Sequence, residues 1–307
     1  MPLWWLLTLS PSPAAEVDLK IVAEDFDLSA HTERSLRRIL TRMFRTYQDT
    51  MGLSFSDPTP VHVRLVADRV EYERRASSMG LVGSTLGFFS TRLGEGVVWK
   101  NTSAAQMHAT IVHEASHYLM SAGGAVRAPL WLHEGMAELF EGARLSGNAI
   151  YLDPAPGMVD WLHQRGPGLP PLEAFLDDPR AWSRLPSTPV GSASYGVGWS
   201  LCAFLMSSPS GKAALAQLLQ HAGEPPSATL QAAWPGGVRQ LDQDWRAWWG
   251  RPIASLQLPI PTVTGQQGVE VGWIRCANGN LIARDSGMEC GRWVAGENGV
   301  MTFVPDR

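Results

Sequence analysis

Apolar and polar residues alternate over Val17-Asp-Leu-Lys-Ile-Val22, the period of a half-buried strand. The period then changes. Between Ser29 and Tyr47 the apolar positions Leu36, Ile39, Leu40, Met43 and Phe44 recur at helical spacing, with arginines on the other face, so an amphipathic helix is expected with a solvated basic side. Pro58-Thr-Pro60 interrupts the chain, and Val61-His-Val-Arg-Leu-Val-Ala67 alternates again as a second strand, followed by a short helix over Asp68 to Ala76. Gly87 to Thr91 and Gly96 to Trp99 read as a hairpin around Arg92-Leu-Gly-Glu95. Ser103 with Gln106 three residues on is a capping pattern, opening a helix that Gly123-Gly124 closes, and Pro129 starts the next, which runs to about Gly142.

Beyond Ala143 the pattern continues as mainly helical. A strand is expected over Asn148 to Leu152, short helices near Val159–His163 and Leu172–Leu176, and longer ones over Ser194–Met206, Gly211–Gln220 and Gly236–Trp249, the last presenting Leu241, Trp245, Trp248 and Trp249. Arg251-Pro252 and Pro259-Ile-Pro261 mark a linker. After it come the short apolar runs Val271–Ile274, Leu281–Ala283 and Gly299–Val304, with Asn278-Gly-Asn280 as a turn. The expected class is α+β: a mainly helical domain with an N-terminal small β-sheet (residues 16–250), a linker (251–268) and a small C-terminal β appendage (269–307).

Composition narrows the function classes. With 307 residues, 45% hydrophobic and 18% charged, the chain has the balance of a globular protein, and 13 tryptophans supply large core anchors. A formal net charge of -4 and the lack of a Lys/Arg cluster argue against a nucleic-acid partner. The apolar run Leu3 to Leu9 followed by Ser10-Pro-Ser-Pro-Ala14-Ala15 reads as a signal peptide over residues 1–15, without the usual preceding cation, and implies an exported, periplasmic or secreted, protein. No stretch is long enough to span a bilayer. Of three cysteines, Cys276 and Cys290 bracket the C-terminal segment and are candidates for a disulfide, while Cys202 lies in an apolar helix as a small hydrophobe.

The candidate chemistry is concentrated in Thr110-Ile-Val-His113-Glu114-Ala-Ser-His117-Tyr118. Residues four apart on a helix share a face, so His113 and His117 can grip one Zn²⁺, and Glu114 beside them can reach a water as general base. Completion as a metzincin would need a glycine and a histidine where Met120 and Gly123 stand. On the next helix Glu134 and Glu138 are again four apart, and two bare carboxylates so placed repel unless a metal and an imidazole offset them. Glu134 is the expected third ligand, with His133, about 100° round the axis, as its rival. Glu138 is either an acceptor for a ligand histidine's free N–H or an exposed helix acid.

His113-Glu-Ala-Ser-His117, sixteen residues, then Glu134 within Trp131-Leu-His-Glu-Gly-Met-Ala-Glu138 resembles the gluzincin zinc metallopeptidases, closest to the peptidase MA-like group related to aminopeptidase N. The resemblance covers roughly Gly87 to Trp249 and implies a zincin-type catalytic domain that hydrolyses peptide or protein substrates. It assigns the zinc ligands to His113, His117 and Glu134, the general base to Glu114 and a substrate edge to the hairpin at Gly87 to Trp99. Gly87-Phe-Phe-Ser90 does not match the exopeptidase signature G-x-M-E-N, so an endopeptidase is expected rather than an aminopeptidase. Tyr195, within Ser194-Tyr-Gly-Val-Gly-Trp199, is the expected oxyanion donor on this resemblance and by elimination among five tyrosines. A core role for Tyr195, with His163 or His221 as donor, stays open. The rival from another class is a zinc-containing envelope-binding protein with a vestigial site, although such a protein has no need of Glu114.

Overall fold

The computed structural model describes residues 17–81, 86–90, 93–100, 103–174, 176–178 and 193–258, and beyond them the backbone of four short strands. The signal-like segment, the Cys276 and Cys290 pair and the Asn278-Gly-Asn280 turn lie outside the described residues. The chain divides into two compact units, Met1–Ile260 and Pro261–Arg307. The architecture is mixed α and β, as the alternation of the two periods predicts.

Four strands open the first unit: β1 (Val17–Glu24), β2 (Thr59–Val66), β3 (Gly87–Ser90) and β4 (Glu95–Trp99). They form one sheet in the order β1-β2-β4-β3, with β1, β2 and β4 parallel and β3 antiparallel at the edge. Parallel neighbours need a crossover, and α1 (Ala30–Arg45) supplies the one between β1 and β2. Ser29 caps α1 by accepting from the Thr32 N–H. The period of two decides which side chains meet which layer. Val61, Val63, Leu65 and Val98 join the main core with α1 and α3 (Ala104–Ala122), whereas Val66, Phe88 and Val97 pack on Tyr72 and Ala76 of α2 (Arg69–Ser78). Glu24, Arg64, Arg75 and Glu95 interlock as ion pairs beside that second cluster.

The helix α3 is central because both neighbours feed it. Its N-terminus is fixed by Ser103, whose hydroxyl accepts from the Gln106 N–H at 3.2 Å. Met107, Ile111, Val112, Ala115, Leu119 and Met120 are buried, and the Ser116 hydroxyl bonds the buried Tyr47 phenol at 2.7 Å. After a short loop, α4 (Leu130–Glu141) returns with Pro129 at its cap. Its closest packing is on α6 (Ala193–Met206). There Gly135 lies against Gly198: a Cβ on Gly135 would come within 2.4 Å of the Gly198 carbonyl group, and one on Gly198 within 2.5 Å of the Trp131 carbonyl oxygen. Only glycine on both helices permits so close a crossing.

Two segments depart from the pattern read in the sequence. The helical continuation expected from Ala143 is instead β5 (Ala143–Ser146), turning at Gly147 with φ of 58° into β6 (Ala149–Leu152). Part of the proline-marked stretch is packed: β7 (Leu256–Gln257) pairs with Tyr151 and Leu152, and Leu258 is buried. Between them run α5 (Pro156–Arg165), α7 (Pro209–Gln220), α8 (Pro226–Ala233) and α9 (Gly237–Trp249). Arg246 of α9 donates to the carbonyls of Gly166, Leu169 and Pro170 and so ties down an irregular segment. The second unit contributes two hairpins, β8 (Trp273–Arg275) with β9 (Leu281–Ala283) and β10 (Gly291–Ala295) with β11 (Met301–Pro305).

Candidate metal centre

The i, i+4 spacing on α3 points His113 and His117 the same way, and the α3–α4 turn brings Glu134 to meet them. The two Nε2 atoms are 3.2 Å apart, and Glu134 Oε2 lies 3.5 Å from His113 Nε2 and 3.7 Å from His117 Nε2. A circle through three atoms so spaced has a radius of about 2.0 Å, the length of zinc bonds to imidazole nitrogen and carboxylate oxygen. Glu134 Oε2 is buried and makes no hydrogen bond, its nearest donors being those two nitrogens at more than ordinary hydrogen-bond length. An orphaned carboxylate oxygen facing two imidazole nitrogens fits a divalent cation. These residues therefore could hold one.

The electrostatics agree with that geometry. Burial would raise the Glu134 carboxyl, yet the neighbouring His113 and His117 outweigh it and hold the group below its ordinary range, as a carboxylate. Burial pushes His117 down to about 4, helped by the proximity of His113. His113 goes the other way: burial opposes its charged form, but Glu134 and Glu141 prevail and raise it well above its ordinary value.

Glu114 is only 8% exposed. Burial lifts its carboxyl to about 7, the Glu134 and Glu141 charges add to this, and His113 and the Phe89 backbone N–H partly offset it. The hairpin makes room for it through glycine. A Cβ on Gly87 would stand 2.6 Å from Thr110 Cγ2 and 2.9 Å from Glu114 Cγ, and one on Gly96 would be 3.4 Å from Glu114 Cβ. Phe89, on the same face, stacks edge-on against Tyr118 at 5.2 Å between centroids. Tyr118 is thus occupied with the hairpin.

The other residues singled out in the sequence divide. His133 lies with its ring 6.0 Å from that of His117, but it is hydrogen-bonded to the backbone of Val126 and Ala125 and is absent from the group that could hold a metal. Glu138 Oε1 stands 3.9 Å from His113 Nδ1, and burial followed by the Glu141 charge raises its carboxyl to about 7. Tyr195 enters through the Gly135–Gly198 crossing, three residues before Gly198 on α6. Burial raises its phenol to about 12, with further contributions from Glu134, Glu138 and Glu114, which places the hydroxyl in the field of all three carboxylates. His163 instead bonds the Trp249 carbonyl at 2.9 Å, and His221 pairs with Glu224 at 3.2 Å.

Two participants escaped the sequence reading. Glu141, seven residues past Glu134 and hence on the same helical stripe, places Oε2 3.1 Å from His113 Nδ1. The stripe was visible; which acid on it meets the ring was not. The Phe89 backbone N–H carries no side-chain signature at all. No protein-family model matches the chain, and no curated protein matches it either.

Proposed function

We propose that this protein is a zinc-dependent peptidase that cuts within peptide chains. The observation that carries the reading is the triangle of His113 Nε2, His117 Nε2 and Glu134 Oε2, with the last buried and unbonded and with Glu114 next to His113 on α3. Zinc held by those three atoms would supply Lewis-acid polarisation of a scissile carbonyl and acidify a water. Glu114 moves the proton. Its carboxylate, with an affinity for protons near neutrality, takes one from the attacking water and returns it to the leaving amine. The Phe89 N–H holds that carboxylate against the edge strand β3.

Tyr195, protonated at neutral pH as phenols ordinarily are and with burial raising it further, would donate a hydrogen bond to the developing oxyanion. Among the described residues the edge strand β3 has one side unpaired in its sheet, and it lies beside Glu114, where an extended peptide could add backbone hydrogen bonds. No described helix is long and apolar enough to cross a membrane.

The test is Glu114→Gln. The variant should retain zinc at the parent's stoichiometry and lose peptide hydrolysis by at least about a hundredfold, the lower end for general acid–base catalysis. A variant that cleaves a peptide library as fast as the parent sinks the reading.

A further inference from the structure

Glu134, Glu138 and Glu141 lie along one face of α4, and the first and last of them address the same imidazole from its two edges. Glu134 Oε2 is 3.5 Å from His113 Nε2, while Glu141 Oε2 is 3.1 Å from His113 Nδ1. Glu138, for which the sequence leaves open the role of supporting acid or of exposed helix acid, reaches only to 3.9 Å, beyond hydrogen-bond length. Helix geometry accounts for the choice. Seven residues bring the chain round to within about 20° of the starting direction, whereas four overshoot by about 40°, so Glu141 lies nearer the line of Glu134.

We infer that Glu141 is the positioning residue for His113, a role that rests on the reading of His113, His117 and Glu134 as metal ligands. A neutral imidazole carries one N–H, and whichever nitrogen holds it cannot ligate. In the neutral ring the Glu141 carboxylate, 3.1 Å from Nδ1, accepts the proton of that nitrogen, which leaves the Nε2 lone pair directed at Glu134 Oε2 and His117 Nε2. The ring is also held in place, since α4 contacts it at both nitrogens and it is only 14% exposed. His117 has no such support. Among the described residues its only carboxylate neighbour is Glu134, on the Nε2 side. The two histidines are therefore unequal: His113 is preset by the protein, and His117 takes its tautomer from whatever occupies the centre.

The experiment compares the full chain with Glu141→Ala, Glu141→Gln and Glu138→Ala, all stripped of metal. Zinc affinity is measured by competition with a chromophoric chelator, and the His113 tautomer by long-range nitrogen–proton NMR of the metal-free protein at alkaline pH, where the ring has lost its second proton. Circular dichroism checks that each variant is folded. Glu141→Ala should bind zinc 10- to 100-fold more weakly and lose the Nδ1–H tautomer of His113, as expected for removal of such an acceptor. Glu141→Gln keeps an acceptor oxygen and should recover most of the affinity and the tautomer. Glu138→Ala should change affinity less than threefold.

The inference is overturned if Glu141→Ala retains both affinity and tautomer, or if Glu138→Ala is the damaging change. Two zinc ions per chain, the second lost with Glu141, would also overturn it, since Glu138, Glu141 and His113 would then be ligands of their own. A parent that binds no zinc would remove the peptidase reading instead, and the tautomer in Glu141→Ala would still decide what Glu141 does to His113.

Discussion

Replacing Gly135 by alanine tests whether the α4–α6 crossing positions the site. In an exposed helix interior this change gains roughly 1 kcal/mol from helix propensity. Here the new Cβ would lie 2.4 Å from the Gly198 carbonyl carbon and oxygen and 2.8 Å from Cys202 Sγ. Carbon atoms pack at about 3.5–4.0 Å, so the two helices must separate by about 1 Å, and the obstacle is backbone rather than a side chain that can swing aside. Overpacking costs about 1–3 kcal/mol, with backbone obstruction at the upper end. Set against the propensity gain, the net loss is about 2 kcal/mol. For a unit of this size that lowers the melting temperature by roughly 4–8 °C.

The assay is urea and thermal unfolding followed by helical circular dichroism, with Gly157→Ala as control. Gly157 has nothing within 4 Å of the position its Cβ would take, so alanine there should be neutral or stabilise by up to about 1 kcal/mol. A Gly135→Ala protein as stable as the parent, or a Gly157→Ala protein that loses as much, refutes the argument. Because α4 carries Glu134 and α6 carries Tyr195, the same substitution should also slow any turnover.

Two further predictions concern stability away from the site. Tyr47→Phe leaves the fully buried Ser116 hydroxyl without its 2.7 Å partner and should cost about 1–3 kcal/mol in urea unfolding, much of it recovered when Ser116→Ala is added; an unaffected single variant would contradict this. Burial alone would raise Glu24, but Arg64 and Arg75 outweigh it and hold its carboxyl below the ordinary value of 4.5. Its stabilising contribution is therefore complete above pH 4.5 and falls away as pH drops through the lowered folded value. Unfolding free energies of parent and Glu24→Gln should differ at pH 7 and converge towards pH 3; a gap that stays constant would show that the ion pairs do not contribute in this way.

Local signals were the legible ones. Ser29 and Ser103 announce the starts of α1 and α3 because a cap needs only the next three residues. His113, Glu114 and His117 are fixed relative to one another by a single helix, so their spacing alone predicts a shared face. The strand over Ala143–Ser146 is hidden in the sequence, being four residues of mixed polarity whose partner is the hairpin neighbour β6, itself paired on its other side with a strand about a hundred residues on. The pattern of apolar residues gives no helix over Pro226–Ala233, yet α8 forms there, with proline in its first turn. The meeting of Glu141 with His113, and of Gly135 with Gly198, depends on how two helices cross, which neither helix encodes by itself.

Among the described residues, the side chains grouped so as to hold or orient a cation lie between His113 and Glu141, on two consecutive helices. Contacts so close along the chain require little loop closure and can form early in folding. The remaining parts come from afar: the Phe89 N–H from the sheet edge, and Tyr195 from a helix more than fifty residues downstream. On the proposed reading, cation capture and the general base thus come from one stretch of the chain, and the groups that would steady the carboxylate and the oxyanion come from others. Divergence in β3 or α6 would then silence a descendant whose helical hairpin could still hold a cation, so a retained His113-Glu114-Ala-Ser-His117 would by itself be no guarantee of turnover.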